Sequence, residues 1–184
     1  MSIMPENPIR NARPRRKVRR GITLLETALA TVIVGTAVLA IVRLVSAVTT
    51  QNFYAQKTTT ALMLANNIRE VMNGLPFNDP ANGNHLGPDN GVVSVSQYND
   101  CQDFSGFTAS PPIDANRQPI SNLSSWQQSV SVTHVNPSNY LLTDSLATDA
   151  AVTMDRVKVV VSYQVQGTAT WTPIVTVEWL KAKL

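Results

Sequence analysis

Arg19-Arg20-Gly21-Ile22-Thr23-Leu24-Leu25-Glu26, followed by the uncharged run from Thr27 to Val42, is the stretch that decides how the rest of the chain is read. Positive charge gives way to a glycine, then to uncharged residues, then to one carboxylate at the head of a long apolar segment. Ile22 to Val42 is 21 residues, about 31 Å as a helix, close to the roughly 30 Å hydrocarbon core of a bilayer. A carboxylate placed there is costly to desolvate unless it meets a cation or the membrane edge. Cleavage between Gly21 and Ile22 would create such a cation, the α-amine of Ile22. Within one helix that amine is badly placed for its own Glu26, but a neighbouring copy shifted along the axis can present its amine to it.

The overall charge of +3 hides a strong asymmetry. Residues 1–20 hold seven of the fifteen Lys and Arg (Arg10, Arg13, Arg15, Arg16, Lys17, Arg19 and Arg20) against the single Glu6. Beyond Gly21 there are eight basic and eleven acidic residues, a net charge of −3. A basic leader beside an apolar span follows the positive-inside rule, which places 1–21 in the cytoplasm and the chain after Val42 outside. No aromatic residue interleaves the basic arm, so no nucleic-acid partner is expected.

The span is rich in β-branched residues, mediocre helix formers in water, but in lipid the backbone has no other way to satisfy its polar groups. Gly35, with Ala28, Thr31, Thr36 and Ala40, would let a second helix approach closely. No proline lies between Pro14 and Pro76. Ala61, Leu64, Ala65, Ile68, Val71, Met72 and Leu75 recur at helical spacing, so one helix is expected from Ile22 to Asn73. Its second half should pack its apolar stripe on the rest of the chain. Asn73-Gly74 before Pro76 is a stop signal, with Gly74 free to take a positive φ.

Six of the eleven prolines fall in residues 75–125, which read as loop, with a short strand expected at Val92–Gln97. Between Asn78 and Gly91 the carboxylates and glycines suit either turn chemistry or a calcium site outside the EF-hand pattern. Trp126–Val135, Arg156–Val165 and Trp171–Leu180 alternate as strands, with Gln166-Gly167-Thr168 marking a hairpin between the last two. Leu141–Ala151 reads either way. The fold expected is α+β: a long helix whose second half packs on a 3–4 stranded antiparallel sheet. The organisation follows as leader 1–21, membrane span 22–45, amphipathic continuation 46–74 and globular head 75–184.

Cys101 is the only cysteine and reads as a small inert side chain. His85 and His134 are far apart, and His134 reads as a strand residue facing solvent or the sheet edge. No nucleophile, metal-ligand or phosphate-binding pattern emerges, so neither an enzyme nor a cofactor is expected.

The octet Arg19–Glu26 resembles the processing site of type IV prepilins and type II secretion pseudopilins: glycine before the cut, a hydrophobic first residue and glutamate fifth in the mature chain. The resemblance is strong from Gly21 to Val45 and looser out to Leu75. It implies that a prepilin peptidase cleaves after Gly21 and methylates the Ile22 amine, and that Glu26 pairs with a neighbour's amine during assembly. The implied partners are that peptidase, other pilin or pseudopilin subunits and an assembly platform in the inner membrane. Ala61–Glu70 is similar to the corresponding helix of the minor V-type pilins or I-type pseudopilins. The chain departs from many pilins in lacking a cysteine pair and a helix-bending proline. Two rival readings are a membrane-anchored outer domain, and an ordinary secretory signal cut near Ala28-Leu29-Ala30 or after Ala40.

Overall fold

A computed structural model describes residues 23–79, 81, 83, 85–136, 139–143 and 152–183. The chain divides into two compact units, ending at Val48 and beginning at Thr49. One helix, α1 (Leu24–Asn73), contributes to both. Its residues from Leu24 to Val48 are all exposed, whereas Ala61, Leu64, Ala65, Ile68, Val71 and Met72 are buried. The stripe expected from spacing is therefore the one that packs.

The sheet runs β1 (Thr108–Ala109), β2 (Trp126–Asn136), β4 (Met154–Gln164), β5 (Trp171–Ala182), antiparallel throughout, with β3 (Asn139–Thr143) pairing to the end of β2. The α+β arrangement of a long helix on an antiparallel sheet is thus the observed one. Register aligns side chains in rows across β2, β4 and β5: Val130, Val159 and Val177; then Val132, Val157 and Trp179; then His134, Asp155 and Lys181. Alternation puts these rows on one face, where Val130, Val132, Val157, Val159 and Val161 meet the helix stripe. The turn after β4 closes with Thr168 N–H donating to the Val165 carbonyl at 3.0 Å, and Gly167 takes φ 86° there.

Cys101, Phe104 and Ile113, from the proline-rich stretch, complete the core. A buried amide ties three elements together. Gln128 on β2 donates to the Leu64 carbonyl of α1 (2.8 Å) and to the Ile113 carbonyl (3.1 Å), and accepts from Ile113 N–H (2.8 Å).

Three expectations are corrected and one open stretch is partly assigned. Val92–Gln97 is not a strand: Val95–Gln97 is a 3₁₀ turn, because Ser94 and Gln97 form a reciprocal capping box that outweighs weak alternation. Gly74 is not among the described glycines with positive φ. Instead the last turn tightens, Gly74 N–H reaching the carbonyls of Glu70 and Val71 and Leu75 N–H that of Met72. His134 faces neither solvent nor the sheet edge; it lies on the inner face, 8% exposed. In the stretch left open, Leu141–Thr143 belongs to β3, and 144–151 lies outside the described residues.

Candidate functional site

Gly21 and Ile22 lie outside the described residues. Glu26, the third residue of the assembly reading, stands in the first turn of α1 and is exposed. Its backbone N–H donates to Thr23 Oγ1 at 3.3 Å, while Thr27 N–H makes the first helical bond to the Thr23 carbonyl at 3.2 Å. Thr23 therefore caps the helix, and the carboxylate sits where the helix dipole favours negative charge. Thr23-Leu24-Leu25-Glu26 carries that capping pattern in its spacing, and the backbone N–H of Glu26 is the group that the Thr23 hydroxyl caps.

The hydroxyls of the apolar half are answered by the helix itself. Thr27, Thr31 and Ser46 hydroxyls donate to carbonyls one turn back at 3.0, 2.8 and 3.0 Å, and Thr36 donates to Ile33 at 2.9 Å. Nothing lies within 4 Å of where a Cβ on Gly35 would stand, so this face is open. What remains outward is hydrocarbon: Leu25, Leu29, Val32, Ile33, Val34, Val38, Leu39, Ile41 and Val42 are each more than half exposed. α1 is long and apolar enough to cross a membrane, by length and composition. A hydrophobic surface of this extent marks a site of contact with lipid or protein.

A second polar constellation closes one end of the core. His134 Nδ1 lies 2.6 Å from Asp155 Oδ1, and Gln102 Nε2 donates to Asp155 Oδ2 at 2.9 Å. Burial pushes the Asp155 carboxyl above the usual range, while the bonds from His134 and Gln102 pull the other way. Lys181 Nζ donates to the carbonyls of Met72 (2.9 Å) and Leu75 (2.7 Å), and the Cys101 thiol donates to the Met72 carbonyl (2.9 Å). Burial also raises the Cys101 thiol's pKa, which leaves it a poor nucleophile. The end of α1 is thus held by a cation from the last strand, which suits the negative end of the helix dipole. Asp100 Oδ1 accepts from Gln102 N–H (2.7 Å) and Asp103 N–H (3.0 Å), capping the 3₁₀ turn Gln102–Phe104.

Asp79 is used as a turn residue. One carboxylate oxygen accepts from Ala81 N–H at 2.7 Å and the other from Asn99 Nδ2 at 3.3 Å. Among the described residues no group of three His, Cys, Asp or Glu is placed to hold a metal ion. A groove of about 640 Å³ between residues 88–98 and 105–119 is lined by Tyr98, Phe107, prolines and serines, with no carboxylate, imidazole or amine.

Reading the sequence locally missed Thr23, Gln102, Gln128, Asp155 and Lys181. Only Thr23 had a short-range signal. The chain matches no family model, no curated protein and no solved structure.

Proposed function

We propose that the chain is a minor pilin or pseudopilin, a structural subunit of a type IV pilus or type II secretion pseudopilus. It is made as a precursor with residues 1–21 in the cytoplasm and is held in the cytoplasmic membrane as a single-pass protein with its head outside. Prepilin peptidase cuts it after Gly21 and methylates the Ile22 amine. In the assembled filament Glu26 meets the Ile22 amine of a neighbouring subunit, and the apolar helices bundle.

The observation that carries this reading is the half-helix Leu24–Val48. Its apolar side chains are uncovered, the hydroxyls of Thr27, Thr31, Thr36 and Ser46 are closed onto its own backbone, and from Leu24 to Val42 its only charge is Glu26. Such a segment is suited to lipid or to the inside of a helical bundle, and a lone carboxylate at its head calls for a cation from elsewhere.

Mass spectrometry of the N-terminus of the membrane-extracted protein tests the reading. A methylated Ile22 is expected. An intact leader indicates a plain membrane anchor, and a start between Thr31 and Ile41 a secretory signal; either overturns the filament reading. Glu26→Ala sharpens the test, because the Thr23 cap uses the backbone N–H of residue 26 and survives the change. Insertion should persist while incorporation into filaments falls.

A further inference from the structure

β5 is the long outer strand of the sheet: twelve residues, paired among the described residues with β4 alone. The opposite edge, β1, is only two residues. Proteins usually blunt an edge by keeping it short or by placing lysine or proline on it. β5 carries Pro173 near its start and Lys181 near its end, but Val175–Leu180 between them has neither, and its single charge, Glu178, is drawn to Lys158 on β4 at 3.4 Å.

The register shows which backbone groups are open. Lys183 N–H donates to the Thr153 carbonyl at 2.8 Å, and Lys181 faces Asp155 two residues earlier. Bonded positions recur every second residue in an antiparallel pair. Val175, Val177, Trp179 and Lys181 therefore turn their amides toward β4, while Thr176, Glu178 and Leu180 turn theirs outward. Beside that row of donors and acceptors lies an apolar shoulder. Val175, Val177 and Trp179 pack against the core only partly buried. Arg69 lies over the Trp179 ring, 5.7 Å from its centre, and among the described residues it is in no ion pair. Leu62, 43% exposed, precedes Arg69 by two helical turns on the same side of α1.

We propose that the outer edge of β5 docks an extended segment of a different protein chain, one with apolar side chains at alternate positions and a carboxylate that meets Arg69. Open backbone groups at strand spacing demand another backbone. The half-covered valines with Leu62 favour hydrocarbon on the helix-facing side, and the exposed guanidinium of Arg69, which lies over Trp179 and has no carboxylate partner among the described residues, favours an acid. A second copy of β5 supplies the wrong charge. Its helix-facing row is Val175, Val177, Trp179 and Lys181, which brings an amine and no carboxylate. This inference does not rest on the membrane reading.

The test uses the full-length protein in detergent micelles and an acetylated, amidated peptide, Thr-Val-Thr-Val-Thr-Asp-Thr, with its reversed sequence to cover both strand directions. One of the two should bind with a Kd of about 1 mM or tighter, shifting the amide resonances of Thr176, Glu178 and Leu180. Replacing the peptide's aspartate by lysine should weaken binding at least about tenfold, as should Arg69→Ala for the aspartate peptide. Thr176→Pro removes an outward N–H that β4 does not use, and should abolish binding. Should that variant fail to fold, N-methylation of the peptide backbone removes the same bonds from the other side. Overturning results are no binding by either peptide, equal binding of the lysine peptide, or indifference to N-methylation. Self-association of the peptide-free protein that Thr176→Pro abolishes would make a second copy the occupant and overturn the proposal as well.

Discussion

The two halves of α1 are one secondary structure under two regimes. From Leu24 to Val48 every residue is exposed, yet the helix is continuous with the segment that buries Ala61, Leu64, Ala65, Ile68, Val71 and Met72 against the sheet. Leu39 is 61% exposed and Leu64 0% exposed on the same helix. The lesson is that helicity and tertiary packing are separate demands. The C-terminal half has a stripe because a sheet covers one side. The N-terminal half is apolar all round, which in a helix signals burial in something other than its own head.

The widest separation between the halves should appear on truncating one leucine in each. Leu64→Ala leaves a cavity between α1 and the sheet and should cost the head about 3–4 kcal/mol, read as a fall in the urea midpoint in micelles. Leu39→Ala should leave that midpoint within about 0.5 kcal/mol of wild type. Equal losses would break the comparison, since they would mean that the first half also packs on protein.

Much of this contrast was legible in the sequence because it is written as periodicity. The 61–75 spacing, the alternating valines of β2, β4 and β5, and the Gly167 turn are all short-range patterns. The apolar half of α1 was legible by length and by the absence of charge from Thr27 to Val42. The polar end of the head was not. His134, Asp155, Gln102 and Lys181 come from three strands and a loop, and nothing near any of them in sequence announces the others. His134 was misread because a polar residue in an alternating strand is assigned outward by default, whereas its partner directly across the sheet makes the inward position tenable. Val92–Gln97 was misread for the opposite reason: its signal was local, but it was a cap and not a strand.

That long-range end of the head is where further changes sharpen the contrast. His134→Ala removes the donor closest to a fully buried carboxylate and leaves Asp155 with Gln102. A loss of about 2–3 kcal/mol is expected, because a buried polar group stripped of a hydrogen-bond partner carries its desolvation cost. The same change should leave the exposed half-helix untouched, as its amide exchange in micelles would report.

Asp100 gives a smaller effect with a definite sign. Burial is the largest cause raising its carboxyl to about 6, opposed by the N–H groups of Asp103 and Gln102. The native state then holds the proton more tightly than the unfolded chain, so this residue's contribution to stability falls as pH rises from about 4 to about 6. Asp100→Asn keeps an acceptor for both N–H groups and cannot ionise. It should stabilise the head at pH 7 by an amount on the order of 2 kcal/mol and add nothing at pH 4. Urea midpoints of both proteins across that range check it, and a constant difference would show that folding leaves the Asp100 carboxyl's affinity for its proton unchanged.

The smallest effect compares the two ends of α1. At the C-terminal end Lys181 brings a charged donor to the Met72 and Leu75 carbonyls, the first of which also accepts from Leu75 N–H and the Cys101 thiol. Methionine retains most of the lysine's apolar stem but makes no such bonds. Lys181→Met should therefore cost the head about 1 kcal/mol through the lost cap and dipole interaction. At the other end Thr23→Ala removes the hydroxyl that accepts from Glu26. Its cost is of the same order, about 1 kcal/mol, but it falls on a segment that contributes nothing to the head's core. Faster amide exchange at Glu26, with an unchanged urea midpoint, is the expected result. A drop in the midpoint on Thr23→Ala would mean that the first turn and the head unfold as one cooperative body, and the two regimes of α1 would then be a difference of exposure without a difference of stability.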